Sequence, residues 1–400
     1  MTETLISDGF DSLVDLGRDD PTDLHGILAD LRRKKPYAVV RHRGERAVVL
    51  LTEELVAAAF RDEKTFPAMA AYTRANQPVL GRTIQSMTGR EHRINKSLVS
   101  RPFRNLAAEQ LREPMIAPIV HALIDEFADR GEADLVAEFT QPLPIRVIAS
   151  LIGIAETDTD QLASWAHDLF NFPHDPEGAH RAAREFSAYV APVVAERRHN
   201  PGDDLISVLV TAEVEGERLD DEQVLTFLRL LFPAGADTTH LALGNILCGL
   251  LTHPDQWALL RADPGEEAEW AVNEGLRWEP PVSLLHRVCP EAVTWQGIDI
   301  PADTAVIFAI TAANRDPQVY SDPDRFDIGR RAAPLTTFGG GPHSCLGNWL
   351  AKAEMQVAVA TLAERLPGLR LRPGAAEPVT FQIGKALRGP SSLWVEWDLA

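Results

Sequence analysis

The chain has 400 residues, 45% of them hydrophobic and 24% charged, with 39 Lys and Arg against 58 Asp and Glu for a formal charge of −19. So acidic a chain is a poor match to non-specific binding of nucleic acid or anionic membrane. Its three cysteines, Cys248, Cys289 and Cys345, are too few and too widely spaced to support a disulfide framework or a CxxC zinc site. The opening MTETLISDGFDSLVDLGRDD lacks the basic start and apolar stretch of a signal peptide, and no run of about 18 apolar residues appears anywhere. A cytoplasmic, reduced, soluble protein is expected, folded as one domain over residues 1–400.

In chain order, YAVVRH and RAVVLL flank a short Arg-Gly-Glu turn and predict a β-hairpin. Beyond it the helical period takes over. Ile116, Ile119, Val120, Leu123, Ile124 and Phe127 recur at three- and four-residue steps, a stripe that ends near Gly131. From about Asp220 to Leu251 a much longer helical pattern is apolar on nearly every side, which predicts a buried central helix. A second strand-like pair, AVTWQGIDIP and TAVIFAI, follows around residues 292–310. The expected fold class is mainly α with small β-sheet regions.

Three stretches carry chemistry. The central helix reads LLFPAGADTTH in its middle, where Pro233 removes a backbone donor and Gly235 adds backbone freedom. Asp237, Thr238 and Thr239 then place short polar side chains that compete with the helical ladder. A buried helix that breaks its own rules does so for a site or for a packing kink; an acid beside a hydroxyl can also relay protons. In NEGLRWEPP, Glu274 and Arg277 share one helix face and can form a charge-assisted pair. ExxR alone says little, since it also occurs at Glu109–Arg112 and Glu215–Arg218. The third stretch is FGGGPHSCLG, residues 338–347. Glycines at 339, 340 and 341 let amides approach a sulfur or a flat cofactor, and Cys345 is either an inert buried thiol or a soft ligand for iron.

Taken together these stretches resemble the cytochrome P450 haem-thiolate monooxygenases, particularly the soluble bacterial type. The family's Phe-x-x-Gly-x-His-x-Cys-x-Gly is met at Phe338, Gly341, His343, Cys345 and Gly347. Its small-Gly-x-acid-Thr-Thr is met at Ala234, Gly235, Asp237, Thr238 and Thr239, and its Glu-x-x-Arg at Glu274 and Arg277, with Arg287 following. ANRDPQVYSDPDRFDIGRR (313–331) looks like the segment before the cysteine loop, and NPGDDLISVLV like the lead into the central helix. Three departures stand out. His92-x-x-x-Lys96 replaces the usual His-x-x-x-Arg, Pro233 precedes the central signature and suggests a firmer kink, and Asp303 stands at a common glycine.

The resemblance implies a P450 fold with haem b between the central helix and the cysteine loop. Cys345 would ligate the iron, and His343, Arg287, His92 and Lys96 would face the propionates. Glu274 and Arg277 would brace the scaffold on the cysteine side, and Phe338 would pack near the thiolate. Ala234 and Gly235 would open a groove for O2, with Thr238 hydrogen-bonding there and Asp237 delivering protons. The implied activity is insertion of one oxygen atom of O2 into a lipophilic small molecule, by hydroxylation or epoxidation. A peroxide-driven peroxygenase is the alternative, and a non-oxygenating haem sensor or electron carrier the more distant one. With no GxGxxG or P-loop in the chain, electrons would come from a ferredoxin or flavodoxin and its NAD(P)H-dependent reductase. Lys96, Arg101, Arg104 and Lys352 are candidates for a basic docking patch, and a monomer is expected. Residues 67–80, 169–172, 282–285 and 381–383 are expected to line the substrate pocket.

Overall fold

The computed structural model describes residues 10–399 except 13, 20, 22, 156–157, 332–334, 377–379 and 382–386. Its axis is the helix Asp221–Thr252, whose 32 residues span roughly 48 Å at 1.5 Å per residue. Asp220 caps its start: the carboxylate accepts the Gln223 N–H while the Gln223 side chain accepts the Asp220 N–H. Asp221 and Glu222 in the first turn complement the helix dipole, and Pro254 lies just past its end. The helix continues through Pro233, and nearly every side chain from Phe227 to Leu251 is buried. Its neighbours include the helices Pro142–Ile152, Thr159–Phe170, Pro176–His199 and Pro264–Trp278.

The first hairpin forms as expected, Tyr37–His42 against Glu45–Leu50, turning at Arg43 and Gly44, both at positive φ. The second pairing differs from the sequence reading. AVTWQGIDI closes on itself, with Val293–Trp295 against Ile298–Ile300, while Thr304–Ala309 runs parallel to Glu45–Leu50 and antiparallel to Leu284–Cys289. TAVIFA therefore pairs with a strand more than 250 residues away in the chain, which local alternation cannot reveal. Asp303, before that strand, sits at φ 57°, the left-handed conformation that favours glycine.

The apolar stripe that ends near Gly131 is a helix, Ala117–Asp125, preceded by a wider π turn over Arg112–Ile116. Ile116, Val120, Leu123, Ile124 and Phe127 are buried, and Gly131 turns the chain at φ 77°. The NPGDDLISVLV lead folds as a helix, Leu205–Thr211, capped by Asp204. Most of the core is one large helical cluster; a smaller cluster around Phe60, Phe308 and Ile310 covers the sheet. The main cavity opens where these two meet.

Candidate active site

The cysteine loop is held from beneath by a buried polar network. Arg277 and Glu274 form a two-pronged ion pair at 2.8 Å, with both side chains inaccessible to solvent. Arg277 also donates to the carbonyls of Asn314, Pro323 and Arg325, and Glu274 accepts the Asp327 N–H. Every strong donor and acceptor of the pair is thereby matched, which is what makes a buried ion pair tolerable. Asn314 passes this order on. Its Oδ1 accepts from the Thr336 amide (3.1 Å) and hydroxyl (2.8 Å), and its Nδ2 donates to Thr337 Oγ1 at 2.8 Å. The loop begins at the next residue, Phe338.

Gly339 and Gly341 adopt φ 67° and 65°, and a Cβ on Gly341 would come within 2.5 Å of Phe60 O. These glycines thus seat the loop against the helix Glu53–Arg61, a packing role beside the expected one of admitting a flat group. Cys345 N–H donates to Phe338 O at 2.9 Å. The thiol is accessible, but to the cavity: protein encloses its other sides, and burial pushes its pKa up. The Gly347 amide and the Lys96 charge act in the opposite direction, favouring thiolate. A Cβ on Gly347 would meet nothing within 4 Å, so the cavity is open above that turn.

The cavity brings together Cys345, His343, Phe338, His92, Lys96 and Arg287 on one side and Ala234, Gly235 and Thr238 on the other. The His92 and His343 rings lie 4.2 Å apart. Burial first, then His343 and Lys96, push the His92 pKa down to about 4, and its buried Nε2 has no partner among the described residues. Among the described residues Arg287 makes one hydrogen bond, to His286 O, and it lies over the Tyr72 ring at 5.3 Å. Unmatched basic groups crowding one wall make a site for anionic substituents. Lys96, expected to face the propionates, lines this cavity, and its ammonium donates to Pro342 O (2.6 Å) and Ser344 O (3.0 Å), with Ser344 Oγ at 3.5 Å. It ties the helix Gly89–Val99 to the cysteine loop, and a lysine can do so because three independent protons reach three oxygens. His343 also contacts Glu63, with Nε2 to Oε1 at 3.1 Å.

On the opposite wall Thr238 donates to Ala234 O at 2.7 Å. Asp237 is buried, its Oδ2 has no partner among the described residues, and desolvation raises its pKa to about 7. It does not line this cavity: one residue earlier on a helix is about a 100° turn away, and Asp237 opens onto a second cavity on the far face. Of the expected pocket segments, Tyr72, Val282 and Leu285 line the main cavity. LFNF does not line it; Phe170 packs on the Leu241 and Leu387 cluster and Phe172 on His180. Of the expected segment 381–383, residues 382 and 383 lie outside the described residues.

Two further residues at the site escaped the sequence reading. Asn314 is buried in the very segment that resembles the family's, but an isolated asparagine has no periodic signal. Glu354 lines the cavity from the helix Asn348–Arg365, buried, with no partner for Oε2 among the described residues and its pKa pushed well up by burial. A carboxyl nine residues after Cys345, amid Ala, Met and Val, was the available clue.

These residues fit a haem: a soft thiol at the floor, unmatched basic groups at one edge, and small residues on the facing helix. A profile of the family described as Cytochrome P450 matches residues 145–263 and 268–368. The chain belongs to the cytochrome P450 family. This P450 is 36% identical over 395 residues to the cytochrome P450 monooxygenase PikC of Streptomyces venezuelae, covering 96% of this chain and 93% of that one. It is 33% identical to the 6-deoxyerythronolide B hydroxylase of Saccharopolyspora erythraea, over 94% of this chain and 96% of the relative. The solved structure of CYP109Q5 from Chondromyces apiculatus superposes with a TM-score of 0.86 at 31% identity, over 97% of this chain and 98% of that one. The protein is a haem-thiolate monooxygenase with haem b as cofactor, and it uses O2, a substrate and a redox partner. Among the described residues no helix is long and apolar enough to cross a membrane.

Proposed function

We propose that this P450 hydroxylates or epoxidises a lipophilic small molecule, with Cys345 as the thiolate and Asp237 and Thr238 as the proton-handling pair. The supporting observation is the main cavity: Cys345 and Thr238 line it together, and Tyr72, Ile84, Leu230, Leu231, Val282 and Leu285 make most of the remaining wall apolar. Bound haem supplies O2 reduction and C–H oxidation, with the thiolate pushing electron density toward oxygen cleavage. The chain's own contribution is positional. His92, His343 and Arg287 orient the cofactor through its carboxylates. Thr238, steered by Ala234 O, presents its hydroxyl oxygen to the reaction space, and Asp237 behind it holds an exchangeable proton near neutral pH. The names of two relatives specify 6-deoxyerythronolide B and a steroid carbon, both large carbon skeletons.

Electrons are proposed to come from a ferredoxin. Arg101 and Arg104 are exposed and form no ion pair among the described residues. Their turn, and the helix Asn105–Leu111 carrying exposed Leu106, pack on the helix that begins just after Cys345 and exposes Trp349. Of the expected basic patch, Lys96 is committed to the cysteine loop and Lys352 is half-buried over the Phe338 ring, 5.8 Å from its centroid. Arg101 and Arg104 are therefore the part of that patch available to an acidic partner. Titrating the haem-loaded protein with steroids, macrolactones and fatty acids tests the substrate class. A shift of the haem absorption band on binding these compounds is expected. A response only to strongly polar compounds would overturn the reading.

A further inference from the structure

A third cavity lies between the helix Pro176–His199, the short helix Gln77–Leu80 and the central helix. The core-facing stripe of Pro176–His199 is Ala179, Ala182, Phe186 and Val190. Beside it His180, Ala183, Arg184 and Ser187 recur at three- and four-residue steps, so they share a neighbouring face. With Pro78, Val79, Gly81 and Arg229 they line an open cleft of about 600 Å³, within the size range of small-molecule sites. Among the described residues no Asp or Glu lines it, although the chain as a whole carries a charge of −19.

Arg229 is the buried end of the cleft, 8% accessible in an otherwise apolar stretch of the central helix. Its Nε donates to Leu80 O at 3.2 Å, Nη1 to Ser187 Oγ at 2.9 Å, and Nη2 to Glu222 Oε1 at 2.6 Å and Thr226 Oγ1 at 2.8 Å. A guanidinium has five N–H protons, so one on Nη1 has no acceptor among the described residues. The carboxylate partner, Glu222, has a side chain 71% exposed, and an ion pair so well solvated compensates the charge weakly. Gly81 allows the chain to pass this close: at φ 86°, a Cβ there would lie 2.9 Å from Thr226 Oγ1 and 3.4 Å from Arg229 Nη2. At the rim, Arg184 is exposed and its side chain forms no ion pair or hydrogen bond among the described residues. His180 is exposed too, its ring set edge-on to Phe172 with centroids 5.6 Å apart.

We propose that this cleft binds an oxyanion, a phosphate or carboxylate group, held by Arg184 and His180 at the rim and by the remaining Nη1 proton of Arg229 at the buried end. Guanidinium groups from two different helices suit the planar, two-pronged recognition of such groups. The cleft has room for a small organic body carrying the group, and Pro78, Val79 and Ala183 offer it apolar contact. No lining residue is shared with the cavity over Cys345, so the inference does not depend on the substrate reading. A molecule held here is a ligand distinct from the substrate.

The test titrates the haem-loaded enzyme by calorimetry with phenyl phosphate, phenol and inorganic phosphate, following the haem band in the same samples. Phenyl phosphate should bind saturably and leave the haem band unmoved. Phenol, which lacks the oxyanion, should bind more weakly by about tenfold or more, the scale of a lost charge-assisted hydrogen bond. Arg184→Gln should weaken phenyl phosphate by a similar factor, and His180→Gln should weaken it measurably. Arg229→Lys, which keeps the charge and loses the fork, should weaken it as well. The two exposed substitutions keep the test alive if Arg229→Lys does not fold. Inorganic phosphate separates the sources: binding as tight as phenyl phosphate assigns the site to a free anion, and weaker binding assigns it to an organic one. Parent-like affinity in both Arg184→Gln and His180→Gln, equally tight phenol, or a haem-band shift that tracks the heat would each overturn the site.

Discussion

The two walls of the cavity are built on opposite principles. Under the cysteine, Glu274, Arg277 and Asn314 are buried and matched donor to acceptor, down to the carbonyls of residues 323 and 325. Across from it, the central helix buries Asp237 with an oxygen left over and a pKa lifted to about 7. A satisfied network in low dielectric is stiff, whereas an unsatisfied group there is reactive and costly. The same chain therefore holds the proposed thiolate ligand rigidly and keeps the proposed proton donor poised.

Breaking the matched wall should have the largest effect. Arg277→Met leaves buried Glu274 with only the longer Arg330 contact at 3.3 Å in place of its two-pronged partner, and should cost about 3–5 kcal/mol in thermal or denaturant unfolding. The double variant Glu274→Leu/Arg277→Met should be less damaging than the single one. If the two proved equal, the pair would not be behaving as a matched buried charge. Asn314→Ala, which frees Thr336 and Thr337, should cost about 1–3 kcal/mol and broaden the haem band of the loaded protein.

The poised wall should respond in the opposite sense. The folded pKa of Asp237 is raised above its unfolded value, so its contribution to stability is fully present below about pH 4 and is lost as pH rises to about 7. Asn cannot ionise. Asp237→Asn should accordingly match the parent in acid and become the more stable protein toward pH 7, by on the order of a few kcal/mol, with the gap flat above that. Melting temperatures across pH 4–8 read this directly, and a gap that shrank with rising pH would contradict it. The price in function should be coupling: Asp237→Asn and Thr238→Ala should each lower product formed per NAD(P)H consumed by about tenfold or more and raise peroxide.

The smallest effect is expected where the walls meet. Lys96→Met should loosen the cysteine loop by about 1–2 kcal/mol and raise the Cys345 pKa. Lys96→Arg should fail to restore the loop, because a planar fork cannot reproduce three separate contacts. Full rescue by arginine would return Lys96 to the propionate role that the resemblance suggested.

How much of this was legible depended on whether a feature is local. FGGGPHSCLG, LLFPAGADTTH and NEGLRWEPP each concentrate unusual residues in one short run, so the cysteine loop, the central helix and the ion pair could be read directly. Long-range pairing could not be: TAVIFA lies beside Glu45–Leu50, and AVTWQGIDI instead closes on itself. Helix faces were legible only in part. Asp237 and Thr238 are neighbours in sequence, yet they open onto different cavities, and only packed neighbours decide which face meets which space. LFNF, apolar and suitably placed in the chain, went to the core instead of the pocket for the same reason. Asn314 and Glu354 were hidden because a single buried polar residue leaves no pattern.

Cys345 is proposed to present a thiolate to haem iron beneath a proton-handling helix. The absorption spectrum of the reduced, carbon monoxide-bound protein tests it most directly, with Cys345→His as the control. The strongly red-shifted band of a thiolate-ligated haem is predicted for the parent, and its loss with haem retained for the variant. A parent band at the position of nitrogen-ligated haem, or the same band in both proteins, would rule out thiolate ligation by Cys345.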